Sequence, residues 1–294
     1  MTVAARLADA AGRLAAQLGL SQGEARLEAR ILASHVLMVE TVWLLAHDTD
    51  TLGTAQAAAL EAIVCRRLTG EPVAYILGAR EFYGRWFRVG PATLIPRPET
   101  EHLIDAALAR APVNARVLDI GAGSGCIAIS LKLERPDLRL TSVDISPAAL
   151  AVARDNGARL CAEVEWLESD LFDTLAGRTF GLIVANPPYV AEADPHLTLG
   201  DCRFEPYAAL ASGPDGLDAI RAIIRQAPAY LLAGGWLLLE HGWDQGTAVA
   251  RLLAEAGFGD LFMDRDLAGQ ARVSGGRYGY EPEKNQEPVG LEGL

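Results

Sequence analysis

The sequence has few of the features that mark specialised protein classes. It has four cysteines, at 65, 126, 161 and 202, and none forms a Cys-x-x-Cys pair. That excludes a disulfide-stapled secreted scaffold and suits free thiols in a reducing, cytoplasmic setting. The five histidines are scattered, so no metal site is expected. No run of 18 apolar residues occurs, which leaves no transmembrane helix and no membrane partner to expect. The first 18 residues lack the basic start and apolar block of a secretory signal. Lysine occurs only at 132 and 284, and 26 basic residues face 38 acids, a net charge of −12. A protein that works by coating nucleic-acid phosphates needs a basic footprint, so direct nucleic-acid binding is disfavoured. The acidity is uneven. The first hundred residues hold ten Arg and ten acids, so the whole excess falls beyond them.

What is present is a chain of 294 residues, half of them hydrophobic. That is enough for a sizeable core and about two domains. Residues 1–70 read as a small helical bundle, expected to be a substrate-recognition domain. Val3, Leu7, Ala10, Leu14 and Leu18 fall at helical spacing. Ser21 and Glu24 form a capping box before a second helix that runs to about Met38. A short helix over 42–47 and a fourth over 54–68 follow, the last stopped by Gly70 and Pro72. Leu27, Ile31, Leu32, His35 and Val36, with Leu60, Ile63 and Val64, are the expected inward faces. Residues 71–98 read as a connector: a hairpin over 81–89 turning at Gly84, then Pro91, Pro96 and Pro98, which stiffen the chain.

Residues 99–278 alternate helices with short apolar runs. Strands are expected over 115–121, 138–146, 164–170, 180–189 and 234–242. Helices are expected over 99–109, 126–133, 147–158, 215–232 and 245–256, with Pro228 ending or kinking the fourth of these. Such alternation implies an α/β fold, a mostly parallel, doubly wound Rossmann-like sheet. Residues 279–294 lack periodicity and read as a frayed tail.

The chemistry is expected at strand ends. Asp119 to Gly125 (DIGAGSG) follows a strand and opens a helix, and its glycines let backbone approach a ligand closely. Asp144, ending the next strand, is placed to accept hydrogen bonds from ribose hydroxyls. Together they indicate a nucleoside cofactor without saying which. Asp170, in the Ser169-Asp170 pair at the third strand end, is placed to bind an adenine amino group. Asn186-Pro187-Pro188-Tyr189 ends the fourth strand in a rigid turn. The Asn186 side-chain carbonyl and the Pro187 backbone carbonyl each accept one hydrogen of an NH2 group, and Tyr189 is expected to close over a flat substrate. Two acceptors on a planar amine orient its lone pair. A nucleoside pocket one strand from an amine clamp indicates S-adenosyl-L-methionine and N-methylation, in which the cofactor carries an activated methyl and the protein supplies orientation. No catalytic base is required.

At this point the chain resembles the HemK/PrmC-type protein-(glutamine-N5) methyltransferases over about 1–278. The matching segments are 70–84 (GEPVAYILGAREFYG), 94–101 (LIPRPETE), 117–129, 143–146, 186–189, 203–218 (RFEPYAAL with GPDGLD), 238–246 and 266–277. The resemblance implies methylation of the glutamine in the GGQ motif of peptide-chain release factors; a monomer is expected. It places Gly121, Ala122, Gly123, Ser124 and Gly125 against the methionine part of the cofactor, Asp144 on the ribose, Leu171 beside the adenine where many relatives carry an aromatic, and Asn186 to Tyr189 on the glutamine. Arg97, Glu99 and Thr100 fall in a segment that lines the site, while Phe204, Glu205 and Pro206 match without a derivable role. The alternatives are an amine methyltransferase acting on adenine or guanine in DNA or RNA, a silent binding protein that keeps the fold, and, remotely, an NAD dehydrogenase.

Overall fold

The computed structural model describes residues 1–279, so the tail expectation lies, from residue 280, outside the described residues. By internal contacts the chain divides into two compact units, Met1–Ala79 and Arg80–Leu294.

In the first unit, helices α1 (Val3–Leu18), α2 (Gln22–Leu37), α3 (Thr41–Ala46), α4 (Thr54–Leu68) and α5 (Val73–Leu77) enclose one core. Each boundary has a local cause. The Thr2 hydroxyl caps α1, which ends at Gly19 in the left-handed region. Ser21 and Glu24 form the expected capping box. The inward face of α2 differs from the expectation. Ala25, Ala29, Leu32 and Ala33 are buried, whereas Leu27 is 56% exposed and His35 is exposed. Small residues let α2 approach α1 and α4 closely, and that outranks side-chain size. Arg67, buried near the end of α4, reaches Glu28 of α2 at 2.8 and 3.0 Å and donates to the carbonyls of Gly70 and Glu71. The five-residue α5 was not expected. Pro72 starts it, and Gly78 at φ 69° ends it.

The second unit opens with a hairpin of β1 (Ala79–Phe82) and β2 (Arg85–Arg88). Tyr83 and Gly84 both have positive φ, 52° and 72°, as a two-residue turn matched to strand twist requires. After α6 (Glu101–Arg110) come β3 (Arg116–Ile120), α7 (Cys126–Glu134), β4 (Arg139–Asp144), α8 (Pro147–Arg159), β5 (Val164–Glu168) and β6 (Phe180–Ala185). Then follow α9 (Asp218–Gln226), β7 (Leu231–Glu240), α10 (Gly246–Glu255), β8 (Phe258–Arg265) and β9 (Ala271–Tyr278). The strands form one seven-stranded sheet in the order β5-β4-β3-β6-β7-β9-β8. Strands β3 to β7 run parallel, and β9 and β8 add an antiparallel edge that was not expected. Two expected limits move. Helix α9 is shorter than expected, a 3-10 turn over Ala227–Ala229 replaces its last turn at Pro228, and β7 starts earlier, at Leu231.

Alternation along the central strands buries both faces. Val117, Leu182 and Leu238 point to the layer holding α6 and α7. Their neighbours Leu118, Ile183 and Leu237 point to the layer holding α9 and α10. The order in which strands are added reverses between the parallel neighbours β3 and β6, with β4 and β5 on one side and β7 on the other. In an open α/β sheet that switch point opens a crevice beyond the carboxyl ends of the strands.

Candidate active site

A cavity of about 590 Å³ occupies that crevice. Its size and its mainly apolar wall suit an organic ligand. The loops after β3, β4, β5 and β6 line it, joined by residues 92–100 and 206–209.

The loop after β3 turns through Gly121, Gly123 and Gly125, at φ 88°, 51° and 82°. The Gly121 and Ala122 amides both donate to the Val143 carbonyl, at 2.8 and 2.9 Å, which seats the loop on β4. Asp144 holds it from the side, where Oδ2 accepts from the Gly123 amide at 2.9 Å and Oδ1 from the Ser146 amide at 2.8 Å. A carboxylate has about four acceptor positions, so each oxygen keeps one for a ligand hydroxyl. Gly121, Ala122, Gly123, Ser124 and Asp144 all line the cavity. Gly125 does not. It lies behind the wall, packed against Ile129, Trp166 and Ala153. Below the loop, Asp119 is fully buried and accepts from the Ser142 hydroxyl at 2.7 Å. Burial pushes its carboxyl up to about 7, and Asp144 adds to that. Cys126, at the start of α7, also lines the cavity, and its withdrawal from bulk water pushes its thiol up to about 12.

At the end of β5, Asp170 and Leu171 reach the cavity as expected. Leu171 sits at φ 46°, an uncommon conformation for a branched side chain. Ser169 is buried, and its hydroxyl accepts from the Thr174 amide at 3.1 Å, shaping the turn.

At the end of β6, Asn186, Pro187 and Pro188 line the same cavity. Asn186 Nδ2 donates to Thr100 Oγ1 at 3.1 Å. That fixes the amide and, among the described residues, leaves its carbonyl oxygen without a donor. Tyr189 is not among the residues that line the cavity. Its hydroxyl is directed to Glu240, 3.5 Å away, and its carbonyl accepts from Gln245 Nε2 at 3.0 Å. Burial raises its phenol pKa.

Other supporting residues carried no role in the sequence reading. Glu205 is buried, accepts from the Ile95 amide at 2.9 Å and pairs with Arg97. The 203–206 segment thereby anchors residues 94–100 against the cavity. Asn156 is fully buried on α8, exchanges hydrogen bonds with the Arg88 backbone and donates to the Ser124 carbonyl at 2.9 Å. A polar residue on an amphipathic helix carries no signal that it faces inward. Glu240 is buried at the end of β7.

A glycine-lined pocket, a strand-end carboxylate and an Asn-Pro-Pro turn at one switch point define an amine-directed methyltransferase. Comparison with known proteins agrees. Residues 100–204 match the methyltransferase small domain and residues 7–78 the PrmC N-terminal domain. A methyltransferase structure from Pyrococcus furiosus shares the fold, with a TM-score of 0.52 and 16% identity over 73% of this chain and 96% of that one. The release factor glutamine methyltransferase of Bordetella pertussis is 50% identical over 86% of this chain and 95% of its own length. That of Neisseria gonorrhoeae is 49% identical over 89% and 96%. The chain belongs to the release factor glutamine methyltransferase family.

Proposed function

We propose that this protein methylates N5 of the glutamine in the GGQ motif of peptide-chain release factors, with S-adenosyl-L-methionine as methyl donor. The observation that carries the reading is the shared cavity. Asn186, with its amide held by Thr100 and its carbonyl free, faces the same space as Asp144 and the glycine loop. That donor set fits the cofactor. Asp144 has free acceptor positions for ribose hydroxyls, Gly121 and Gly123 present bare backbone to the methionine end beside Ala122 and Ser124, and Asp170 and Leu171 flank the adenine. The cofactor supplies an already activated methyl group, so the protein need only orient an amine. Asn186 Oδ1 and the Pro187 carbonyl each accept one amide hydrogen, which aims the nitrogen lone pair. Pro187 and Pro188 keep the turn rigid, and Tyr189 braces it. Residues 1–70 act as the recognition domain, 71–98 as the connector and 99–278 as the methyltransferase domain. The four free cysteines fit a reducing, cytoplasmic setting.

Purified release factor incubated with enzyme and cofactor is expected to gain one methyl group on the GGQ glutamine, seen by mass spectrometry of the peptide. A folded enzyme that leaves the peptide unmodified refutes the reading. Preferential labelling of DNA or RNA would favour a nucleobase amine, a reading disfavoured by the acidic composition and by the family.

A further inference from the structure

Asn156, fully buried on α8, joins two segments far apart in sequence. Its Nδ2 donates to the Arg88 carbonyl and to the Ser124 carbonyl, each at 2.9 Å. Its Oδ1 accepts from the Arg88 amide at 2.8 Å and from Arg159 Nη1 at 3.1 Å. A carboxamide offers two N–H groups and two lone pairs, and all four are used. Aspartate has nearly the same shape but would set an oxygen against two carbonyls.

The two segments differ in stiffness. The 121–125 loop has three glycines at positive φ, which leaves its backbone a wide choice of conformations. Gly121, Ala122 and Gly123 are seated on Val143 and Asp144. Ser124, which also lines the cavity, is seated through Asn156. The hairpin is firm. Phe82 and Phe87 are buried in a core shared with α6 and α7. The Tyr83 hydroxyl donates to Asp105 of α6 at 2.7 Å, Arg85 to Glu134 of α7 at 2.6 Å, and Arg88 to Asp155 of α8 at 2.8 Å.

We propose that Asn156 is a positioning residue for the cofactor, which clamps the second half of the glycine loop to β2. The hairpin, otherwise a connector, thereby becomes part of the cofactor site. The inference rests on the S-adenosylmethionine reading of the cavity. Asn156 does not itself line that cavity, so its effect on a ligand must pass through the loop. Clamp and ligand favour the same loop conformation, and linkage makes the effect reciprocal. A clamp that tightens cofactor binding is itself tightened by bound cofactor.

The test measures S-adenosylmethionine binding by calorimetry in wild type, Asn156→Asp and Val249→Ala, at a temperature where all three are folded. Val249 is fully buried on α10 and absent from the cavity wall, so its truncation should lower stability alone. Asn156→Asp should raise the dissociation constant at least about tenfold, or ~1.4 kcal/mol, while Val249→Ala matches wild type. On purified release factor, Asn156→Asp should raise KM for the cofactor and leave kcat at saturating cofactor and KM for release factor unchanged. Hydrogen exchange probes the reciprocal effect without a variant. Saturating cofactor should slow exchange of the wild-type Arg88 amide at least about fivefold more than that of the Leu253 amide in α10. An Asn156→Asp dissociation constant equal to that of wild type overturns the proposal, as does an Arg88 amide slowed no more than Leu253. If Asn156→Asp does not fold, the exchange measurement decides alone. A wild type that fails to bind S-adenosylmethionine overturns the underlying reading instead.

Discussion

Replacing Gly125 by alanine separates two costs that usually arrive together. Gly125 has φ 82°, and a Cβ there would lie 2.9 Å from Ile129 Cδ1, 3.0 Å from the Trp166 ring and 3.2 Å from Ala153 Cβ. The left-handed backbone costs an alanine roughly 1–2 kcal/mol. Overpacking against these neighbours, of which Ile129 and Ala153 are fully buried, adds about 1–3 kcal/mol. Gly177 supplies the control, because its φ is 76° but no atom lies within 4 Å of its would-be Cβ. Gly177→Ala should therefore lose only the backbone part, and the gain from restricting the unfolded chain is common to both and cancels. Denaturant unfolding should show Gly125→Ala the less stable of the two by about 1–3 kcal/mol. Calorimetry should show weaker S-adenosylmethionine binding in Gly125→Ala only, since relief of the clash displaces the loop that lines the cavity. Equal stability losses would refute the packing argument. Unchanged binding would show that the loop does not need Gly125 behind it.

Other substitutions probe the site from different sides. Asn186→Ala should lower kcat more than about tenfold, or ~1.4 kcal/mol, while cofactor affinity largely holds, as single-turnover methylation and calorimetry would show. Asp144→Ala should weaken cofactor binding about tenfold or more, ~1.4 kcal/mol, with turnover largely restored at saturating cofactor. An unchanged dissociation constant would show that the ribose assignment is misplaced. Asn156→Leu strands the Arg88 backbone and the Ser124 carbonyl, so thermal or denaturant unfolding should show a loss of roughly 2–4 kcal/mol.

The parallel half of the sheet was legible because its strands are uninterrupted apolar runs ending in Gly, Asp or Asn-Pro-Pro. The antiparallel edge was not, and the reason is physical. Strand β9 carries Gly275 and Gly276, residues depleted in strands. They are needed because Phe262, Leu261 and the Leu237 carbonyl already fill the space a side chain would take. Close packing thus erased the pattern that announces a strand. The cavity wall was read well at Gly121 to Ser124, Asp144, Asp170, Leu171 and Asn186 to Pro188, where residue type follows from ligand chemistry. The supports were not, because Asn156, Glu205 and Glu240 act through partners distant in sequence. Tyr189 was read as a cover because an aromatic beside a flat substrate suggests stacking. In the structure its hydroxyl is directed to Glu240.

Cys126 stands in the wall of the cavity proposed to hold the cofactor's electrophilic methyl beside a weak nucleophile. A thiolate there would outcompete an amide nitrogen for that carbon and inactivate the enzyme by alkylating it. With its thiol pushed up to about 12, Cys126 stays protonated at neutral pH and reacts slowly. The same withdrawal from water that shapes the pocket therefore also holds down the nucleophilic form of a sulfur standing in its wall.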